Sequence, residues 1–285
     1  MTQLKNDRSP ENTGTANTAR EDKPLSTVLM IGCGQMGGAL LSQWQLSEEF
    51  AFTIVSPSGK RALPKQAVQV RSASELGKQR FSMLVIAVKP QMIESVVPDY
   101  LAYLAPNGII VSIAAGFSCT SLRSVAPRNA AVRIMPNLPV AMGKGVSGLY
   151  ADERVSPQSR SQVERLMQST GHLIWVSCED ELDRVTAIAG SGPGYAFEIA
   201  RCWAQAGQAL GFSREQSREI VLKTMKGAID LALASDASLD ELRERVTSKN
   251  GTTQAGLRAL NGDAQLGALL DDTLRAAYAR AVELR

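Results

Sequence analysis

Histidine is nearly missing from this sequence of 285 residues: His172 is the only one. A single imidazole argues against a catalytic dyad built on histidine and against a histidine-rich metal site. Cysteine is sparse as well. Cys33, Cys119, Cys178 and Cys202 are scattered with neither pairing nor metal-ligand spacing, which reads as a reduced compartment and no bound metal. No stretch approaches the roughly 20 apolar residues of a membrane span. The opening MTQLKNDRSPENTGTANTAREDKP lacks the apolar core of a secretion signal, and its acids Asp7, Glu11, Glu21 and Asp22 suit a transit peptide poorly. Charge of one sign is absent too. Lys and Arg number 31 against 28 Asp and Glu, interspersed, so no basic stripe makes nucleic acid or an anionic membrane the main partner. The expectation is a soluble, cytoplasmic protein with a disordered polar tail over residues 1–24.

What is present is ordinary globular composition, 44% hydrophobic and 21% charged, enough for a good core and two domains. From Leu25 short apolar runs alternate with amphipathic stretches. TVLMIG (27–32), FTIVS (52–56), SMLVIAV (82–88), GIIVSI (108–113) and AAVRIM (130–135) read as buried strands, with GVSGLY (145–150) and HLIWVS (172–177) following. Helical patterns fall between them near 35–46, 91–104, 118–125 and 157–169. Such alternation means an α/β fold, a Rossmann-type parallel sheet with helices on both faces. After Cys178 the strand signal stops, and the chain reads as helices near 192–210, 214–234, 238–246, 252–260 and 264–284. The boundary falls near residue 177: an α/β domain over 25–177, then an all-helical domain over 178–285.

The first chemically loaded motif is VLMIGCGQMGGAL. Gly32, Cys33, Gly34, Gln35, Met36 and Gly37 fit G-x-G-x-x-G between a strand and a helix, the context a dinucleotide site requires. Gly32 permits the tight turn, Gly34 lets the backbone approach a pyrophosphate, and Gly37 lets helix and strand pack closely. About 20 residues further on, an acid gripping the ribose of NAD would be expected. The chain has VSPSGKR instead. Ser56, Ser58, Lys60 and Arg61 suit the 2′-phosphate of NADPH, although the two cations also fit the start of a solvated helix, and NADH stays open.

Four further stretches join these: AVKPQ (87–91), SIAAG (112–116), RIMPNLP (133–139) and DRVTAIAGSGPGYAF (183–197). With TSKNGTT (247–253), and in this order, the chain resembles pyrroline-5-carboxylate reductase over nearly its whole length after the tail. The resemblance implies NAD(P)H-dependent reduction of a ring imine, 1-pyrroline-5-carboxylate, to L-proline. It also implies a dinucleotide-binding domain, a helical domain that forms a homodimer, and a site shared between subunits; larger rings of dimers stay open. By motif, Ala87, Val88, Lys89 and Pro90 line the ribose and nicotinamide side, Ala115 meets the nicotinamide end, and Ser74 falls by the adenosine half.

The small substrate carries a carboxylate beside a C=N bond. In TSKNGTT the amides of Gly251, Thr252 and Thr253 open a helix, a ready anion site, and the Ser248 hydroxyl adds a hydrogen bond. Thr253 is, by the resemblance, the hydroxyl beside the ring nitrogen. A threonine is too weak an acid to act alone, so its role is orientation, with the proton drawn from solvent or brought by the iminium. On the residues alone, Thr252 and Thr253 are equally helix caps. Glu179 lies where the family has an acid near the substrate.

The chain departs from the family at Lys249 and Asn250, where S-P-G-G-T-T is usual, at Leu138 within MPNLP, and at Gly194 within GPGY. Asparagine tolerates the left-handed backbone that glycine would supply. Two rivals stay open: a 3-hydroxyacid dehydrogenase-like oxidoreductase, for which a helical-domain lysine is needed and only Lys223, Lys226 and Lys249 are present, and a non-catalytic NADP-sensing regulator.

Overall fold

The computed structural model describes residues 25–57 and 67–285. Residues 1–24, and with them the tail, lie outside the described residues, as do Ser58, Lys60 and Arg61.

Eight strands form one sheet: β1 Ser26–Ile31, β2 Phe50–Val55, β3 Val68–Val70, β4 Phe81–Ile86, β5 Leu104–Ser112, β6 Ala131–Pro136, β7 Gly145–Ala151 and β8 Gly171–Trp175. Their order across the sheet is β3-β2-β1-β4-β5-β6-β7-β8. From β1 the chain fills one side to β3, then crosses back to β4 and fills the other. The carboxyl ends of β1 and β4 therefore flank the switch point where open α/β sheets bind ligands. The registers Ile31↔Val55 and Ile31↔Ile86 bring the ends of β1, β2 and β4 level.

Helix α1 (Gln35–Trp44) follows β1, and short helices α2 (Ile93–Val96) and α3 (Pro98–Leu101) follow β4. Helix α4 (Cys119–Val125) follows β5, and α5 (Pro157–Met167) leads into β8. Because strand side chains alternate, each strand feeds two cores. Val28, Met30, Ile54, Met83, Val85 and Val111 meet Trp44, Val163 and Leu166 of α1 and α5. Leu29, Ile31, Leu84, Ile86 and Ile110 meet Ile93, Val97, Tyr100 and Leu122 on the other face.

The fold corrects the sequence reading in three places. Strand β3, only three residues long, carries too little pattern to be seen. The helix expected over 91–104 is a 3-10 turn, Pro90–Met92, followed by two single-turn segments. Pro98 supplies no amide to bond back into the preceding turn, and residue 104 already belongs to β5. The sheet is also not wholly parallel: β7 runs antiparallel to β6, and β8 parallel to β7. Residues 137–144 are all that join β6 to β7, shorter than the roughly dozen residues a parallel crossover needs.

Past Trp175 every element is helical: α6 Glu179–Val185, a π-turn Thr186–Gly190, α7 Gly192–Ala209, α8 Arg214–Leu233, α9 Leu239–Arg245, α10 Thr252–Asn261 and α11 Gln265–Leu284. Helices α7 and α8 pack on each other, α10 packs on α11, and α11 returns to α6 and the π-turn. No described helix is long and apolar enough to cross a membrane.

Candidate active site

The residues after β1, β4 and β5 meet at one edge of the sheet. The Gly32 amide donates to Val55 O (3.0 Å), Ala87 N to Ile31 O (2.9 Å), and Ile113 N to Ile86 O (3.1 Å), so the ladder runs one residue beyond each strand. Gly32 has φ +85, and a Cβ there would lie 2.8 Å from Val88 Cγ1 and 2.9 Å from Ala87 O. A Cβ on Gly37 would strike Met30 Cε at 2.5 Å and approach Ala87 Cβ at 3.2 Å. These two glycines are thus needed for protein packing. At Gly34 the result is opposite: an added Cβ meets nothing within 4 Å. Gly34 is also the N-cap of α1 and supplies no side-chain cap to it. Side-chain space left clear at Gly34 among the described residues, at the positive end of a helix, suits the approach of a pyrophosphate.

Around this cradle Cys33 and Met36 are half-buried and Gln35 is exposed. Val88 and Pro90 are half-buried, while Lys89 and Ala115 are exposed at the strand ends. At the end of β2, Ser56 bonds to Val70 O through its amide (3.0 Å) and accepts Gln69 Nε2 on its carbonyl (3.3 Å). Beyond β3, Ser72 and Ser74 share a hydroxyl contact of 2.8 Å.

The second group lies at the start of α10. Ser248 O accepts the Gly251 amide (3.0 Å), Asn250 adopts φ +59, and its amide donates to Gln254 Oε1 (2.8 Å). Asn250 thereby takes the left-handed backbone expected of it. A Cβ on Gly251 would lie 2.2 Å from Ser248 Oγ and 3.1 Å from Ser248 O, so a side chain there would displace the serine hydroxyl. The helix ends differ in how they are finished. Ser213 and Ser238 close α8 and α9 with capping boxes, and Asn261 Oδ1 accepts two amides at the start of α11. At α10 no side chain caps, and the amides of Thr252, Thr253 and Gln254 meet no acceptor among the described residues. Three unpaired amides beside the exposed hydroxyls of Ser248, Thr252 and Thr253 have the chemistry to suit an anion. No hydrogen bond among the described residues joins this loop to the strand-end group, and α10 packs on α11 rather than on the sheet.

Glu179 is committed elsewhere. Its Oε1 accepts from Arg133 Nη1 (2.5 Å) and from the Cys119 amide (2.9 Å). Arg133, 2% exposed, lies in mid-strand, so this pair is a buried tie between β6, α4 and α6. Burial, reinforced by Glu179, pushes the neighbouring Cys119 thiol up to about 12. Lys226, one candidate for a dehydrogenase-type acid, is paired to Asp230 on α8.

Sequence reasoning passed over three residues here. Asn137 is buried, donates through Nδ2 to Ala189 O in the π-turn (2.9 Å) and accepts the Val146 amide on Oδ1 (2.9 Å), clasping the sheet to the helices. Arg133 and Asp183 are the others. An arginine inside the apolar run AAVRIM was the available signal for Arg133. Asn137 gave none, since asparagine after proline reads as a turn.

Comparison with known proteins follows the same division. A family model described as pyrroline-5-carboxylate reductase dimerisation matches residues 179–284, and one described as NADP oxidoreductase, coenzyme F420-dependent, matches 27–116. The chain is 34% identical over 279 residues to the pyrroline-5-carboxylate reductase of Pseudomonas aeruginosa, covering 90% of this chain and 96% of that one. Among solved structures, pyrroline carboxylate reductase of Plasmodium falciparum with NADP bound superposes with a TM-score of 0.80 at 26% identity, covering 91% of this chain and 99% of that one. The pyrroline-5-carboxylate reductase of Coxiella burnetii gives 0.80 at 28% identity, covering 91% and 98%.

Proposed function

The chain belongs to the pyrroline-5-carboxylate reductase family, and from that premise we propose how its own residues divide the NAD(P)H-dependent reduction of 1-pyrroline-5-carboxylate to L-proline. Residues 25–177 hold the cofactor and 178–285 hold the substrate and a second copy of the chain. The open space at Gly34 is the observation that carries the cofactor half. Residues 32–37 cradle the pyrophosphate on the amides of α1. Ser56 and Ser74, joined by Ser58 and Lys60, take the 2′-phosphate and favour NADPH over NADH. Ala87, Val88, Lys89 and Pro90 line the ribose and nicotinamide side, and Ala115 backs the nicotinamide end.

When bound, the cofactor supplies a hydride to the imine carbon. The chain's residues do the rest. The free amides of Thr252 and Thr253 and the Ser248 hydroxyl hold the substrate carboxylate, and Gly251 lets it reach the backbone. Thr253 Oγ1 hydrogen-bonds the ring nitrogen and orients it, while solvent or the iminium form provides the proton. Rate comes mainly from alignment of donor and acceptor, which can contribute roughly 7–11 kcal/mol. Glu179 supports the site through Arg133 and the start of α4.

The loop at 248–253 and the sheet edge form two groups within one chain, which supports a site completed across a homodimer. Exposed Phe197, Trp203, Ile229 and Leu231 on α7 and α8 give that dimer its apolar contact. None of the four cysteines forms a disulfide, which supports work in the cytoplasm. Purified protein given NADPH and 1-pyrroline-5-carboxylate should oxidise the cofactor with matching formation of proline, followed in the near ultraviolet. Turnover of hydroxyacids but not of the imine would overturn this assignment.

A further inference from the structure

The turn after β5 is held by a helix from the far end of the chain. Gly116 has φ +70, and a Cβ there would lie 2.4 Å from the carbonyl oxygen of Leu284 and 3.0 Å from its Cβ. The backbone at Gly116 therefore rests directly on the last turn of α11. Next in the chain, Arg285 Nη1 stands 3.0 Å from Asp183 Oδ2. That carboxylate is 5% exposed, and its Oδ2 makes no aligned hydrogen bond, so the charges of Arg285 and, less strongly, Arg133 oppose its burial.

Helix α6 carries the coupling. Its acids face two ways: Glu179 takes Arg133 of β6 and the first amide of α4, just beyond the turn. Asp180 accepts the Tyr278 hydroxyl of α11 and pairs with Arg184, and Asp183 takes Arg285. The turn is thus gripped at Gly116 by α11 and at Cys119 by α6, and α6 is itself strapped to α11 by two side chains.

We propose that the end of α11, Leu284 with Arg285, is a positioning element that sets the turn at residues 114–116 and through it the alignment of the nicotinamide for hydride transfer. This rests on the reading above that Ala115 backs the nicotinamide end. Arg285 touches neither cofactor nor substrate; it acts through Asp183 and Gly116. A displacement of the order of 1 Å at the nicotinamide costs about a hundredfold in rate, whereas the adenosine end, anchored on β2 and β3, is left alone.

The test uses the full-length protein carrying Arg285→Ala, Arg285→Lys or Tyr278→Phe. Amide hydrogen exchange in the cofactor-free protein should quicken by roughly tenfold at residues 114–118 in Arg285→Ala and stay unchanged at 35–40. Affinity for adenosine 2′,5′-bisphosphate, a probe of the adenosine end alone, should hold within about twofold while kcat falls about tenfold or more. Arg285→Lys should restore most of both, and Tyr278→Phe, which leaves no buried charge bare, should reproduce the change in smaller measure. Unchanged exchange at 114–118 would overturn the proposal. So would exchange that quickens with kcat intact, or bisphosphate affinity that falls in step with kcat. Because exchange and bisphosphate binding involve no substrate, a wild-type protein inactive on the imine would remove the activity assignment and leave the strap to be judged by those two readouts.

Discussion

In β1, β4 and β5 four or five consecutive residues are buried, whereas α8, twenty residues long, buries only Ser217 and Val221. Both regions are rich in large aliphatic side chains. In the sheet, helices on both faces cover the inner strands, and Trp44 stacks on Phe52 with ring centroids 6.1 Å apart. On α7 and α8 nothing among the described residues covers Phe197, Trp203, Ile229 or Leu231. A groove of about 710 Å³ runs between them, lined by Phe197, Ala200, Ala204 and Leu222 together with Arg201 and Arg218. The lesson is that the α/β region completes its core alone, while the helical region presents an interface. The same asymmetry marks the two halves of the site. The proposed cofactor cradle is assembled from neighbouring strand ends, and the proposed substrate loop lies at an exposed helix start.

Breaking the interface should have the largest effect. Trp203, 48% exposed on α7, replaced by Glu should disperse the dimer in sedimentation and lower turnover by about a hundredfold or more. A fully active monomer would show that one chain completes its own site. Next, Thr253→Ala should lower kcat roughly 10- to 100-fold with NADPH affinity unchanged. Equal loss of both, measured by steady-state kinetics and cofactor titration, would make Thr253 a structural cap.

The cradle can be divided glycine by glycine. Gly34→Ala meets open space, so it should keep its melting temperature and weaken NADPH binding about tenfold. Gly37→Ala drives a methyl into Met30 and should cost about 1–3 kcal/mol of stability first. Identical behaviour of the two variants would deny Gly34 its role at the pyrophosphate. Replacing Ser56, Ser58 and Lys60 together should weaken NADPH several-fold, about 1 kcal/mol, more than NADH; an equal effect on both cofactors would put the 2′-phosphate elsewhere.

The smallest effect concerns Cys119. Burial raises its thiol from about 9 to about 12, so between those values the unfolded chain is deprotonated while the folded one is not. The unfolded state then binds fewer protons, and stability present below pH 9 is lost as pH rises toward about 12. Cys119→Ala should flatten that alkaline loss in denaturant titrations; an unchanged slope would assign it to other groups.

Much of the fold was legible because its signals are local. Continuous apolar runs bounded by Gly, Pro and Ser give β1, β4 and β5, and G-x-G-x-x-G between a strand and a helix gives the cradle. Signals failed where the deciding contact is distant. Strand β3 exists because β2 offers it a free edge at Val68↔Thr53. Strand β7 runs antiparallel because its connection is short, a matter of chain length and not of pattern. The resemblance puts Glu179 near the substrate, and nothing local foretold its pairing with Arg133, 46 positions away.

From its sequence alone, then, this chain determined its periodicities, the glycine-rich turn between β1 and α1, and the hydroxyl loop at a helix start, because each depends on neighbours a few residues off. Only the tertiary structure decided which charges are buried and paired, which helix faces stay uncovered, and that Leu284 closes on Gly116. Those depend on contacts between segments far apart in the chain, whose cost or gain is set by burial, and burial is a property of the assembled fold.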